Sequence, residues 1–574
     1  MEFYSKVTTL PHIPDNVTIP QFMFDARHEI RPQGKEAPWL IQDETGRKFW
    51  KAELRQRVDG LANALSMQYG IGDNDVVEIT SIPDYPVAIW ATPLPNRFIY
   101  RGANPDFTSS ELLYQLQETK ASVIIVHPDS LPIAVIAARE ASLSKDRIIL
   151  FDTSSISKEM YDSYGTVGRL LDLGLRNKKA YFERKLAPGE GRTKLAFLSF
   201  SSGTTGRPKA VAIPHFALIA NVIQIAIHNR IHEDYCDYED RRYRPGDVAI
   251  GVLPLYHIYG LVINLHFILF ARMSLVIVPK FNFVEMLKSI VHHRINHLML
   301  VPPQVVLLCK HSAVKDYDLR QHIRMIMCGA APLSRELNQQ LFEMFPKAHI
   351  GQAYGMTETC TATTMWPITQ KRGVSGSSGQ LLPGTIARVV KQDGSLAGYD
   401  EAGELVIKTP SVALGYANNA QATKETFVEG WVKTGDEVKI SRDGEVVVLD
   451  RLKEIMKVKG FQVAPAELEG CLLDHPDVDN ACVVGVPDDY SGEVPLAFVV
   501  LTPSAAKRVA KVPDVAEQIK ASIIQHVAQN KVHYKHLAGG VELVEAIPTS
   551  PSGKLLRRVL RDRAKELKNV KAKL

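Results

Sequence analysis

The chain is poor in cysteine and has no long unbroken hydrophobic run, and both scarcities narrow its class before any motif is read. Its six cysteines, at 236, 309, 328, 360, 471 and 482, show no C-x-x-C spacing and are too sparse for a disulfide framework, so a reducing, intracellular setting is expected. The most apolar stretch, Leu261 to Pro279, is broken by Asn264, His266 and Arg272, which predicts buried core rather than a membrane span. The opening MEFYSKVTTLPHIPDN carries an early acid and two prolines but no apolar core behind a basic start, so no secretory leader is expected. An excess of one charge is also lacking. With 68 basic and 63 acidic residues the net charge is +5, and no basic stripe interleaves with aromatics, so nucleic acid is not an expected partner.

What the chain does have is apolar material: 45% of 574 residues are hydrophobic, enough for several subdomains with their own cores. Alternating apolar runs and helical stretches predict an α/β class with layered sheets in the larger N-terminal part. The loop SFSSGTTGRPKA, Ser199 to Ala210, has the composition of a phosphate cradle. Its glycine spacing does not fit G-x-x-x-x-G-K-[ST], and Ala210 follows Lys209 where a P-loop has a hydroxyl. The strand-like KLAFLS precedes it, AVAIP follows it, and helical periodicity begins only near His215. The loop is therefore expected to join two strands, with Gly203 and Gly206 allowing a nest of backbone N–H groups and hydroxyls around phosphates.

Further motifs follow in order: PLYHIYG from Pro254, GAAPL from Gly329, QAYGMTET from Gln352, GWVKTGD from Gly430, DRLKEIMKVKGFQVAPAELE from Asp450 and PTSPSGKLLRR from Pro548. Together with SSGTTGRPKA, this series resembles the AMP-forming acyl-CoA synthetases of the adenylate-forming superfamily over nearly the whole chain. Within that superfamily it is similar to 4-coumarate:CoA ligases and to fungal peroxisomal aryl- or acyl-CoA ligases, including those of host-selective AK- and AF-toxin biosynthesis.

The resemblance implies a large N-terminal domain, residues 1–450, and a small mobile α+β C-terminal domain, residues 451–574. It also implies a two-step ligation in which a carboxylate attacks the α-phosphate of ATP to give acyl-AMP and pyrophosphate, and CoA then displaces AMP. By resemblance, Ser201, Ser202, Gly203, Thr204, Thr205, Gly206 and Lys209 hold the β- and γ-phosphates. Glu358 is the ligand of Mg2+, and Thr357 meets the α-phosphate. Gly329 to Ala331, with Ala330 central, and Gln352, Ala353 and Tyr354 line the adenine. Asp436 takes the ribose hydroxyls beside Arg451. Lys554 is implied as the adenylation lysine and Lys457 as the lysine of the second step. Lys453, Lys459, Gly460 and Gln462 fall in the same nucleotide- and CoA-binding stretch, with Lys280 a further CoA contact. His257 resembles the gate of the acyl tunnel.

Two lysines at opposite ends of a small domain cannot serve one transition state at once, so a swinging domain is expected. Its hinge is placed near Arg451, after the strand-like GEVVVLD. Pro465 is then well placed for the first turn of a helix and Pro476 for its stop. The acyl pocket is expected to include Tyr259, Ile263 and Met327. Ile263 and Met327 stand where plant coumarate ligases carry a serine and a lysine, so an apolar acid is expected: a medium-chain or unsaturated fatty acid, or an arylalkanoic acid. The histidines of HHRINH, 292 to 297, read as a solvated helix face. Ala572-Lys573-Leu574 is a variant of the S-K-L address, which implies peroxisomal import through its receptor.

WATPLPNRFIYRGANPD, Trp90 to Asp106, departs from the family pattern; its two prolines are expected to break a helix that relatives have. Three alternatives share many motifs. A peptide-synthetase adenylation domain lacks its carrier segment here, a luciferase-like oxygenase differs only in the fate of the adenylate, and a non-catalytic adenylate-binding descendant should have lost Lys554, Glu358 or Lys457, all of which are present.

Overall fold

Short apolar runs bounded by turns build most of the chain. The computed structural model describes residues 1–571 except 8, 35, 71–74, 81–84, 92–97, 103, 105–106, 154, 180–182, 184, 202–207, 332, 334, 453, 459–460, 489–490, 513 and 550–554. The described strands form sheets of six, eight, nine and five. In the two largest, the inner strands are parallel and read as nearly continuous apolar segments, such as ASVIIV (Ala121–Val126), HLML (His297–Leu300) and MIMC (Met325–Cys328). That pattern is the one for strands covered on both faces.

The central core packs between these two sheets. It contains a helix, His215–His228, and a π-helical segment, Gly260–Phe267, both apolar on nearly every side and buried, as a helix enclosed by protein must be. Two of the interrupting polar side chains of the Leu261–Pro279 run bond within the protein, although Asn264 Oδ1 is buried without a partner. Asn264 donates to the Ile250 carbonyl at 3.1 Å, and His266 accepts from the Trp90 indole at 3.1 Å while its Nδ1 meets the Leu261 carbonyl at 2.7 Å. Because an indole N–H only donates, His266 carries its proton on Nδ1 and has no site left for a second.

Burial accordingly pushes His266 down to about 4, and His215 and His228 to about 3 and about 4. Unfolding lets each take up a proton near its ordinary value, so the unfolded chain binds more protons than the native one between those limits. Stability is complete above the ordinary histidine range and declines as pH falls through it toward about 4. A melting temperature that falls over this interval, followed by scanning calorimetry, is the expected result; a flat one contradicts neutral burial.

The helix Tyr85–Ala91 ends just before the prolines of the atypical segment, and Phe98–Gly102 resumes as a strand parallel to both Asp75–Thr80 and Leu195–Ser201. Trp90 remains fully buried against Phe24 and Trp39. The stretch therefore keeps its core contact on the near side and its place in the sheet on the far side; residues 92–97 lie outside the described part.

The reading of HHRINH as a solvated helix face is corrected here. Its helix, Phe283–His292, ends within the motif, and His297 starts a buried strand with Nε2 3.0 Å from Asp247. Asp247 also pairs with Arg324 at 2.5 Å and Arg244 at 2.9 Å. Desolvation alone raises its carboxyl, but these partners outweigh it and hold the group at about 2. His293 pairs with Asp43 at 3.1 Å.

The five-stranded sheet begins after Arg451, with Met456–Val458 its first strand, and carries separate apolar clusters on its two faces. Pro465 opens the helix Pro465–Leu473, which stops before Pro476. No described helix is long and apolar enough to cross a membrane.

Candidate active site

A cavity of about 1070 Å³ opens where the two large sheets, the six-stranded sheet and the C-terminal unit meet. Its polar end starts at the hairpin Leu195–Ser201 and Lys209–Pro214, whose register sets Lys209 opposite Ser201. Both residues line the cavity. The expected strand–loop–strand frame is thus present, while Ser202, Gly203, Thr204, Thr205 and Gly206 lie outside the described residues.

A residue the motifs did not single out organises this end. Tyr416 pairs through its short strand with Val211. Its hydroxyl donates to Glu358 Oε1 at 2.8 Å, and its ring lies 4.7 Å from Lys209 Nζ. Burial, and then the Glu358 charge, push the Tyr416 hydroxyl well up, so it stays a neutral donor. Glu358 is only 6% exposed. It sits in a turn followed by two non-glycine residues at positive φ, Cys360 at 52° and Thr361 at 103°. Such backbone is strained by about 1–3 kcal/mol per residue and persists only where its surroundings hold it. Here the Thr361 hydroxyl donates to the Ile258 carbonyl at 3.0 Å, tying the turn to the opposite wall.

The next wall is flat. Ala330, at φ 70°, and Gly329 border the cavity with Ala353, Tyr354 and Gly355. A Cβ on Gly329 would lie 3.1 Å from the Tyr259 ring, so a larger residue would displace that ring. Tyr354 donates to Asp436 Oδ2 at 2.6 Å, and Arg451 Nε lies 3.4 Å from Oδ1. The antiparallel register pairs Asp436 with Arg451 directly. Burial, and then Asp436, raise the Tyr354 hydroxyl well above its ordinary value. Asp436 keeps free lone pairs, since an ionised carboxylate accepts about four hydrogen bonds.

The apolar end is made by Ile258, Tyr259, Ile263, Phe281, Val301 and Pro303, with His257 near the bend and accepting from the Tyr259 N–H at 3.3 Å. Tyr256 joins the wall by donating to Asn104 at 3.1 Å, a contact spanning 152 positions that no local motif signals. Arg451, Leu452, Thr549 and Leu556 close the mouth from the C-terminal side. A bridge between Thr549 and Leu555 brackets the segment holding Lys554, which is outside the described residues.

Not every expected residue reaches the cavity wall. Gln352 is turned away, its Oε1 accepting from the Leu333 N–H at 3.0 Å. Met327 is buried in the central core, with its carbonyl 3.4 Å from the Tyr259 hydroxyl, and does not line the cavity. Lys280 is exposed beside the lining residue Phe281. Lys457 is exposed on Met456–Val458, its backbone N–H donating to Glu493 at 2.8 Å, away from the cavity. Lys453, Lys459, Gly460 and the side chain of Gln462 are outside the description.

Comparison with known proteins agrees with this architecture. Residues 28–417 match the model of the AMP-binding enzymes, and residues 467–554 that of the AMP-binding enzyme C-terminal domain. The chain is 34% identical to 4-coumarate–CoA ligase 2 of Oryza sativa subsp. japonica, covering 97% of this chain and 94% of that one. It is 33% identical to peroxisomal OPC-8:0-CoA ligase 1 of Arabidopsis thaliana, over 97% and 95%. The crystal structure of ATP-bound MatB from Rhodopseudomonas palustris superposes with a TM-score of 0.79 at 26% identity, covering 96% and 99%. The chain belongs to the AMP-binding enzymes and is an AMP-forming acid–thiol ligase, joining a carboxylic acid to CoA at the expense of ATP.

Proposed function

We propose that the acid is an apolar one, a medium-chain or unsaturated fatty acid or an arylalkanoic acid. The observation carrying this reading is a single cavity that runs from Lys209, Thr357 and Glu358 to Ile258, Ile263 and Val301. In the first step a carboxylate oxygen bonds to the α-phosphorus as the bond to pyrophosphate breaks. In the second the CoA sulfur bonds to the acyl carbon as AMP leaves. The obstacle to the first is repulsion: two unit charges about 4 Å apart at an effective dielectric near 20 interact by roughly 4 kcal/mol. Fixed cations placed before the reaction remove that barrier without reorganising.

Lys209 and the loop 202–207 take the β- and γ-phosphates, Thr357 the α-phosphate, Tyr354 and Ala330 the adenine, and Asp436 with Arg451 the ribose. Lys554 neutralises the meeting of carboxylate and α-phosphate, and Lys457, with Lys459 and Gly460, serves thioester formation after the C-terminal unit turns near Arg451. Among the described residues no group of three or more His, Cys, Asp or Glu could hold a metal alone. That suits a magnesium ion carried on the triphosphate, held by Glu358 and phosphate oxygens and neutralising their charge.

The test is mass-spectrometric detection of acyl-CoA across a panel of acids with ATP and CoA. The fatty and arylalkanoic acids should outperform 4-coumarate, and Ile263→Ser should weaken the apolar acids by about tenfold, the effect of unpairing one buried polar group. Preference for 4-coumarate in the unaltered enzyme favours the second reading, an aryl-CoA ligase, to which the 34% identity with the rice enzyme points.

A peroxisomal address is supported by Ala572-Lys573-Leu574 and by the peroxisomal relative. A fluorescent protein carrying these three residues at its C-terminus should collect in peroxisomes, and the same fusion without Leu574 should stay diffuse.

A further inference from the structure

A second cavity, of about 770 Å³, shares no lining residue with the first. It lies between the chain entering the strand Leu40–Gln42, the start of the helix Lys51–Tyr69 and the turn at Arg272. Four cations line it, Arg27, Arg31, Lys51 and Arg272, against two acids, Asp25 and Glu36. Asp25 is already neutralised by Arg55 at 2.8 Å. Among the described residues none of the four cations has a carboxylate within ion-pair distance.

Three of these cations are fixed in place by the surrounding fold. Arg31 is largely buried over the rings of Trp39 and Phe270, at 5.7 and 5.5 Å. Its Nη1 donates to the Met23 carbonyl at 2.8 Å, while its Nε is buried with no acceptor. Desolvation, and then Arg272, push Arg31 down to about 10; desolvation, and then Arg31, lower Lys51. Lys51 occupies the first position of its helix, where the backbone dipole favours negative charge, and Trp50 before it gives no side-chain cap. Arg272 sits at φ 57°, a conformation that suits glycine, and donates to the Gly34 carbonyl at 2.9 Å. Arg31 and Lys51 are partly desolvated and feel one another and Arg272, a repulsion that Asp25 and Glu36 only partly offset and that an anion of multiple charge entering the cavity relieves.

We propose that this cavity binds a phosphate ester at a site separate from the ATP-binding cavity. A phosphomonoester carries nearly two charges and three strong acceptor oxygens, which matches a cavity lined by Arg27, Arg31, Lys51 and Arg272. A single carboxylate leaves most of them unpaired. The ester belongs to a soluble metabolite or to a lipid headgroup, and the two are separable.

Inorganic pyrophosphate is titrated calorimetrically into the full chain, alongside Arg272→Gly, Arg31→Gln and, for the first cavity, Lys209→Ala. Two sites per chain are expected in the unaltered protein. Arg272→Gly, which the backbone accepts without strain, and Arg31→Gln should each weaken one site by about tenfold while adenylate formation persists. Lys209→Ala should weaken only the other site, so failure of the ATP-site reading registers separately. Sedimentation with phosphatidylcholine vesicles carrying phosphatidylinositol phosphate, lost in Arg272→Gly together with the weakened pyrophosphate site, assigns the ester to a lipid; the weakened site without sedimentation assigns it to a soluble metabolite. Equal pyrophosphate binding and equal sedimentation in the unaltered protein and both arginine variants overturn the proposal.

Discussion

Lys554→Ala should stop adenylate formation, lowering it by a factor of about 10²–10³, the range for losing one fixed group that meets transition-state charge. Lys457→Ala should leave acyl-AMP forming and slow thioester formation instead. The reason is geometric. Thr549 and Leu556, on either side of the segment holding Lys554, line the cavity, whereas Lys457 stands exposed on a strand of the same small sheet. On the proposed reading, one placement of that unit serves Lys554 and a turn about the Arg451 region then serves Lys457. Pyrophosphate release and acyl-CoA are followed separately in single turnovers. Equal loss of pyrophosphate release in both variants sinks the division of labour; equal loss of thioester alone sinks the assignment of Lys554.

The largest effect on stability is expected from Arg557→Met. Arg557 lies between Glu454, at 2.5 Å, and Glu469, at 2.6 Å, with all three side chains only 10 to 11% exposed. Asp450 is close enough to feel the same guanidinium: burial pushes its carboxyl up to about 6, with Arg557 opposing that rise. Removing the cation leaves buried carboxylates uncompensated, which costs about 3–5 kcal/mol. The C-terminal unit should then lose its cooperative transition in urea and become open to protease, while the N-terminal sheets retain theirs.

The pH dependence discriminates this from simple loss of packing. Unpaired buried carboxylates bind protons more tightly in the native state than in the unfolded one, so their penalty is absent at low pH and grows as pH rises through the raised values. The deficit of Arg557→Met relative to the unaltered chain should be smaller near about pH 5 than near about pH 8. A deficit independent of pH, or one not reduced by adding Glu469→Gln, rules out charge burial as the cause.

How much of this was legible in the chain depended on how far apart the partners lie. The strand–loop–strand frame around Lys209 and the helix opening at Pro465 follow from contiguous residues, because turns and caps need neighbours in sequence. Tyr416 escaped notice because its partner Glu358 is 58 positions away, and Arg557 because Glu454 is 103 positions away. HHRINH misled because a helix ending at His292 and a strand starting at His297 share one short run of histidines, and no period separates them.

Met327 and Gln352 show the same limit in the acyl and nucleotide walls. Met325–Cys328 is buried on both faces, so alternation carries no sign of which side meets the ligand. Sequence alone determined the class of reaction, through a series of short motifs that resembles a known family, and it named the lysines, acids and glycines to which that resemblance implies a role. Only the tertiary structure decided which of them line one cavity and how Tyr416 and Arg557 hold the neighbouring charges. It alone brought four cations to a second cavity, because burial and long-range pairing are set by how sheets and helices pack, not by any local run of residues.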